Sequence, residues 1–74
     1  MFVIDLITLA GSREKKIREL TKVHSFQDAV QFMRKHAASL QDIQLSSLVF
    51  NHYSEPSWTD LGGNFHRLMM VLED

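Results

Sequence analysis

Histidine is the residue type in this 74-residue sequence that best suits metal chemistry, and the chain has four of them. Neutral imidazole is the commonest ligand of transition metals in proteins. A helical site needs two ligands four residues apart on one face, but these histidines are isolated and the chain has no cysteine. We therefore predict no metal site and no cofactor. The histidines are His24, His36, His52 and His66.

A second group of reactive residue types lies close together in the chain, with Ser54 and Ser57 between His52 and Asp60. A catalytic serine needs a base, an orienting acid and an oxyanion hole gathered in one cleft. Nearness in sequence supplies neither a strained nucleophile turn nor that hole. The glycine pair at 62–63 also lacks the lysine of a phosphate-binding loop. We predict no catalytic residues, and a protein that is not an enzyme.

Basic residues are concentrated in one short segment, where five of the eight lysines and arginines fall within ten positions. Clustered cations on one surface are what phosphate contacts require. Glu14 and Glu19 reduce the segment's charge to five minus two, or +3, and the whole chain carries a net charge of -1. Small nucleic-acid-binding protein is therefore the alternative function. Its candidate residues are Arg13, Lys15, Lys16, Arg18 and Lys22.

The second half of the chain has the opposite charge, since residues 37–66 contain no lysine or arginine and three acidic residues. An acidic surface steers association with a basic one. Tyrosine and tryptophan are enriched at the hot spots of protein interfaces. The segment therefore holds the candidate protein-binding residues, which are Tyr53, Glu55, Trp58, Asp60 and Leu61.

Four segments have the residue patterns of strands or of a helix that could position these side chains. Phe2–Ala10 is apolar on both alternating faces, as in a strand inside a sheet. Residues 11–15 resemble a hairpin loop, and residues 17–24 have the polar character of an edge strand. Residues 43–53 alternate and favour a third strand. Residues 65–73 fit a strand or a helix, and we choose a strand because it completes a second hairpin.

An amphipathic helix beginning at Ser25 is the clearest local prediction. Ser25 suits the N-cap position, and Asp28 three residues later completes an approximate capping box. Apolar residues then recur at intervals of three and four, which forms one stripe along a helix. That stripe consists of Phe26, Ala29, Val30, Met33, Ala37 and Leu40.

Together these elements predict an α+β fold for residues 1–74 as a single domain. The order is ββαββ, with a four-stranded antiparallel or mixed sheet, the first and last strands central and the helix packed on one face. A helix at residues 65–73 would give ββαβα instead. Residues 52–64 form a long loop that carries Trp58 and Leu61, either as contacts for a partner or folded back over the second face of the sheet.

The small size of the domain favours an interaction function. A chain of this length buries only about 60% of its unfolded surface, and without cysteine it has no disulfide to support it. One helix covers one face, so the other leaves apolar surface for contact. We predict a noncatalytic protein-interaction module, either a small inhibitor or regulator of another protein or a self-associating adaptor such as a homodimer.

Location and origin follow from similarly general features. Phe2–Ala10 contains Asp5, has no basic residues before it and is far shorter than the roughly 20 residues that span a bilayer. We therefore expect a cytoplasmic protein. Viral and plasmid accessory proteins that inhibit a larger partner fit this size and composition.

Overall fold

The computed structural model describes residues 1–10 and 13–74, without the side chains of Ala10 and Lys16. Within that part the chain forms one α-helix, a short 3-10 helix at Leu45–Ser47 and five strands. The class is α+β, as the sequence predicts. The strands and helix are β1 (Phe2–Ala10), β2 (Arg13–Val23), α1 (Phe26–Ala38), β3 (Val49–Phe50), β4 (Pro56–Thr59) and β5 (Phe65–Leu72).

The described strands form one sheet in the order β2-β1-β5-β4-β3, and every neighbouring pair is antiparallel. The first and last strands are internal neighbours and β2 is an edge, which confirms those predictions. The predicted number of four strands is wrong, because five are present. The predicted loop at 11–15 lies partly on residues 11 and 12, outside the described residues, and β2 already begins at Arg13.

The prediction of a strand over residues 43–53 is confirmed only at Val49–Phe50. The hydroxyl of Ser47 donates to the Gln44 carbonyl at 2.6 Å and accepts from the Thr59 N–H at 2.8 Å. Serine side chains that bond to nearby backbone compete in this way with sheet pairing. The backbone therefore turns at Leu45–Ser47, and only Val49–Phe50 pairs as a strand.

The strand that the sequence does not predict is β4, which lies in the predicted loop at residues 52–64. Pro56 is its first residue, a position where proline is tolerated in a sheet. Pro56 and Trp58 are buried while Ser57 and Thr59 are partly exposed, so the four residues alternate as a strand should. A run this short, begun by proline, gives too little periodicity to detect.

The helix α1 confirms the prediction from Ser25. The Ser25 hydroxyl accepts a hydrogen bond from the Asp28 N–H at 3.0 Å. Three members of the predicted stripe differ, since Phe26 is exposed, Val30 is only partly buried and Leu40 lies beyond the end of the helix. The helix residues that are buried are Ala29, Met33 and Ala37.

The core lies between α1 and one face of the sheet. The helix contacts β1, β2 and β4. Its Met33 and the central Leu68 of β5 are completely buried, as is Ile4 of β1. The buried core cluster consists of Ile4, Ala29, Met33, Ile43, Trp58 and Leu68.

The opposite face of the sheet is closed at its centre, although no described helix covers it. Val3 and Ile7 point to this face and are buried. Arg67 of β5 donates to the Glu14 carboxylate of β2 at 2.9 Å, and this ion pair crosses β1 because β1 lies between those strands. Long side chains of the flanking strands thus shield the central strand. The sheet face is therefore less open than the sequence predicts.

Two leucines provide a test of this core. Leu68→Ala removes a fully buried side chain, so the free energy of unfolding should fall by about 2–5 kcal/mol. Leu61→Ala alters a turn residue that is 67% exposed, so the free energy of unfolding should change by less than about 0.5 kcal/mol. Chemical denaturation followed by Trp58 fluorescence measures both, and equal effects would contradict the packing.

Candidate functional site

The strand β5 is longer than its neighbour β4, and this difference creates the candidate site. All eight residues of β5 are paired with β1. On its other side, β4 is in register only with Phe65, His66 and Arg67. Residues 69–72 therefore have no strand neighbour on that side among the described strands.

The backbone groups that face this open side can be identified. The N–H of Glu73 donates to the Met1 carbonyl at 2.8 Å, so Glu73 faces the chain segment that leads into β1. The N–H of Met70 instead donates to the Glu55 carboxylate at 2.7 Å, on the opposite side. Because the direction alternates along an antiparallel strand, Leu72 faces the same way as Met70. Glu55 thus occupies the place where a neighbouring strand would supply a carbonyl.

Glu55 is held in this position by a tight loop. Its second carboxylate oxygen accepts from the Asn51 side-chain amide at 2.8 Å. The Asn51 side-chain oxygen accepts from the N–H groups of Tyr53 and Glu55, both at 2.9 Å. Ser54, between them, has a φ of 62°, in the left-handed region that such turns use. The carboxylate is therefore oriented toward β5 before any partner arrives.

Apolar side chains surround this open edge and form a groove of about 450 Å³. Leu72 is 68% exposed and Tyr53 is 51% exposed. The rings of Phe2 and Phe26 meet edge to face, with centroids 6.3 Å apart. Arg67 and Met69 complete the lining of this groove. We give the name β5 edge surface to the other six lining residues, which are Phe2, Phe26, Tyr53, Glu55, Met70 and Leu72.

Charges of both signs lie around the β5 edge surface, because the Met1 ammonium donates to the Glu73 carbonyl at 3.1 Å and Arg67 lines the same groove. Glu55 lies within it, and Glu73 and Asp74 follow β5 directly. Lys22 is paired with Glu73 at 3.2 Å, and this hydrogen bond raises the pKa of the Lys22 amine. Arg67 is engaged with Glu14. Carboxylates without a described cationic partner thus remain, including Glu55, which favours a basic partner.

The predicted protein-binding residues divide into three places. Tyr53 and Glu55 lie together in the β5 edge surface. Asp60 and Leu61 lie in the turn that precedes β5, near His66, and His66 is roughly 13 Å along the strand from Met70. Trp58 is 4% exposed in the core between them, where it offers a partner little surface.

Sequence reasoning missed the remaining members of the surface. These members come from β1, α1 and β5, so only the fold brings them together with the loop at 51–55. The proline that begins β4 was the one available signal, because it limits how far pairing can extend along β5. The missed residues are Phe2, Phe26, Met70 and Leu72.

A chain of hydrogen bonds joins Asp60, His66 and Thr8 at the other end of β5. His66 Nε2 lies 2.8 Å from the Asp60 carboxylate, and His66 Nδ1 lies 2.9 Å from the Thr8 hydroxyl. The hydrogen bond from His66, with another from the Asn64 N–H at 2.9 Å, lowers the pKa of Asp60 to about 2. Trp58 packs beside the His66 ring, with centroids 5.7 Å apart.

These three residue types can form a catalytic triad, but the geometry here indicates a structural role in stabilising the sheet. Both imidazole nitrogens are already engaged, and Thr8 is the cross-strand neighbour of His66. Asp60 closes the turn between β4 and β5 by accepting from Asn64. The chain of bonds therefore links β1, β5 and the turn.

The basic segment is divided between the two faces of β2. Arg13, Lys15 and Arg18 pair in register with Ala10, Thr8 and Leu6, so they share the helix-bearing face. They are exposed, and no ion pair is described for any of them. We call these three residues the basic row.

The other face of β2 carries compensated charges. Glu14 is paired with Arg67, and Lys22 lies near Glu19 and Glu73. The side chain of Lys16, also a predicted nucleic-acid contact, lies outside the described part. Beside the basic row, burial lowers the pKa of His36, and the nearby positive charge of Arg18 adds to this effect.

No three His, Cys, Asp or Glu side chains within residues 1–10 and 13–74 are grouped so that they could hold a metal ion. No helix there has the length and apolar character needed to cross a bilayer. Comparison of the chain with family models, with curated proteins and with solved structures gives no match.

The hydrogen bond between Asp60 and His66 should make the free energy of unfolding depend on pH in the acid range. The folded pKa of about 2 is below the reference value of 3.8, so the carboxylate stabilises the fold above pH 4 and loses that effect as pH falls toward 2. We expect Asp60→Asn to unfold more easily than the parent at pH 6 and to approach it near pH 2. Urea denaturation across this range measures the difference.

Replacing the partner provides the control. His66→Phe keeps a ring beside Trp58 but removes the hydrogen bond to Asp60. The free energy of unfolding of this variant should therefore fall less than that of the parent between pH 6 and pH 2. A constant difference between parent and Asp60→Asn from pH 6 to pH 2 would contradict the assignment.

Proposed function

We propose that this protein is a noncatalytic interaction module, a small inhibitor or regulator that binds another protein through the β5 edge surface. The observation that carries the proposal is the open side of residues 69–72, where no described strand pairs with β5 and the apolar side chains of Leu72 and Tyr53 are exposed. Exposed apolar patches with a polar rim mark protein interaction sites. Here the rim is Glu55, Glu73 and Asp74.

The contacts that hold this surface in place also support this function. Glu55 is fixed by Asn51, and Phe2 and Met70 pack against the core. A preformed surface loses less conformational entropy when it binds than a flexible one does. Tyr53 adds an aromatic side chain with a polar tip, a residue type that is common at interface hot spots.

Two leucines with equal exposure test where binding occurs. Leu72 in the β5 edge surface is 68% exposed, and Leu61 in the distant turn is 67% exposed. Immobilised parent protein should retain a specific protein from an extract of the cells that produce it. Leu72→Asp should lose that protein, because a charge in the apolar groove must be desolvated, whereas Leu61→Asp should retain it.

Quantitative mass spectrometry of the three eluates measures the outcome. Circular dichroism shows whether both variants remain folded. The proposed function would be contradicted if Leu72→Asp and the parent retained the same proteins in equal amounts, or if the parent retained no specific protein.

Nucleic-acid binding is a second candidate, favoured by the basic row. Three exposed cations on one face, with no described ion pair, form a stronger phosphate-binding arrangement than the mixed sequence indicates. The row lies along an accessible edge strand. It is separate from the β5 edge surface, since β1 lies between β2 and β5 and the basic row pairs with residues 6–10 of β1, away from Phe2.

Salt dependence tests this second candidate. If the basic row contacts three phosphates, binding of random single-stranded DNA or RNA should weaken with salt at a logarithmic slope of roughly -2. Replacing Arg13, Lys15 and Arg18 with glutamate should remove the complex. Lys22→Glu, on the other face, should change it little. Fluorescence anisotropy measures these affinities, and no complex at low salt would exclude the candidate.

A further inference from the structure

We infer that the partner contributes an extended strand that pairs with residues 69–72 of β5 and carries a lysine or arginine facing Glu55. The incoming strand supplies the carbonyl that accepts the Met70 N–H. The released Glu55 carboxylate then pairs with the partner's cation. This inference rests on the proposed function and adds the chemistry of its partner.

The direction of the backbone groups supports strand addition. Met70 and Leu72 face the open side, and a strand placed there would continue the sheet beyond the last residue of β4. Addition of a strand to an exposed sheet edge is a common mode of peptide recognition, in which main-chain hydrogen bonds give affinity. Glu55 already imitates one of those bonds, at 2.7 Å from the Met70 nitrogen.

The other described edges of the sheet are less suited to a partner strand. The pairing of β2 with β1 has two register irregularities, and β2 carries exposed cations. Bulges and charges of this kind protect edge strands from pairing. At the opposite edge, β3 has two residues. The open part of β5 is flanked by apolar side chains instead.

Charge determines which kind of strand fits. A second copy that paired through the same edge would place its own Glu55 beside the first one. No cationic partner is described for Glu55, and like charges brought together oppose association. A strand with a cation beside Glu55 removes that repulsion, so we assign the site to a basic partner segment and not to a second copy.

The neighbouring side chains define the remaining specificity. Phe2, Met70 and Leu72 share the helix-bearing face, since Leu72 and Met70 pair in register with Phe2 and Ile4. Phe26 and Tyr53 line the same groove. Because side chains alternate along a strand, the partner needs apolar residues at every second position toward this face.

Peptide binding followed by NMR tests the inference on the folded protein. The first probe is acetyl-Val-Lys-Val-Lys-Val-amide. The second has Glu in place of Lys, and the third is the lysine peptide with alternate backbone nitrogens methylated. The lysine peptide should shift the amide signals of Met70 and Leu72 and slow hydrogen exchange at Leu72. It should bind at least about tenfold more tightly than either other probe.

Glu55→Gln is the matched variant, because it keeps the shape and an acceptor oxygen but removes the charge. The lysine peptide should lose most of its advantage over the glutamate peptide on this variant. The inference is overturned if the lysine peptide leaves Met70 and Leu72 unperturbed, if both charged peptides bind equally to the parent, or if sedimentation shows a dimer that Leu72→Asp dissociates.

The two proposals can fail separately. A captured partner that depends on Leu72, together with no binding of the lysine peptide, would leave the interaction function standing and exclude a basic strand. If Leu72→Asp retains every captured protein, the interaction function itself is contradicted.

Discussion

The structure depends on one mismatch in length, because β5 has eight residues and the adjacent β4 has four. Backbone N–H and C=O groups need hydrogen-bond partners wherever they are shielded from water. Along the first part of β5 these partners come from β4. Beyond it, the chain supplies the Glu55 carboxylate to Met70, and the loop at 51–55 is shaped to place it there.

Because of this mismatch, the candidate binding surface lies at the open side of β5 and not on a face of the sheet. The helix packs on one face, and the ion pair of Arg67 with Glu14 crosses β1 on the other. Val3 and Ile7, at the centre of the second face, are buried. Apolar exposure is instead found beside the open part of β5, where Leu72 and Tyr53 meet the edge-to-face pair of Phe2 and Phe26.

The two ends of β5 have different roles in this account. At the start, His66 is bonded to Asp60 and Thr8, so the strand is fastened to β1 and to the turn before it. At the end, the Glu55 carboxylate accepts from the Met70 N–H on the side where no described strand lies. A strand that is fixed at one end and open at the other can add a partner strand without rearranging the core.

Local signals in the sequence were sufficient for part of this structure. The apolar run of β1 and the cap at Ser25 depend on neighbouring residues, and both predictions are confirmed. The strand β4 and the 3-10 turn depend on where Ser47 meets Thr59, a contact between residues twelve positions apart. Such contacts have no periodic signature in a sequence.

The candidate site was anticipated in the same partial way. Residue type and charge predict Tyr53 and Glu55 as contacts, and the structure places both beside β5. Trp58 was proposed on the same grounds but is buried, because an aromatic residue can equally fill a small core. Phe2, Phe26 and Leu72 could not be assigned, since only the sheet order brings the chain ends and the helix start together.

Amide hydrogen exchange along β5, measured residue by residue by NMR, tests the central claim most directly. The N–H of Val71 faces β1 and should exchange slowly, whereas the N–H of Leu72 faces the open side and should exchange fast. Met70 should be protected in the parent protein and lose that protection in Glu55→Ala. Protection of Leu72 equal to that of Val71, or a Met70 amide that is unaffected by Glu55→Ala, would contradict the open edge.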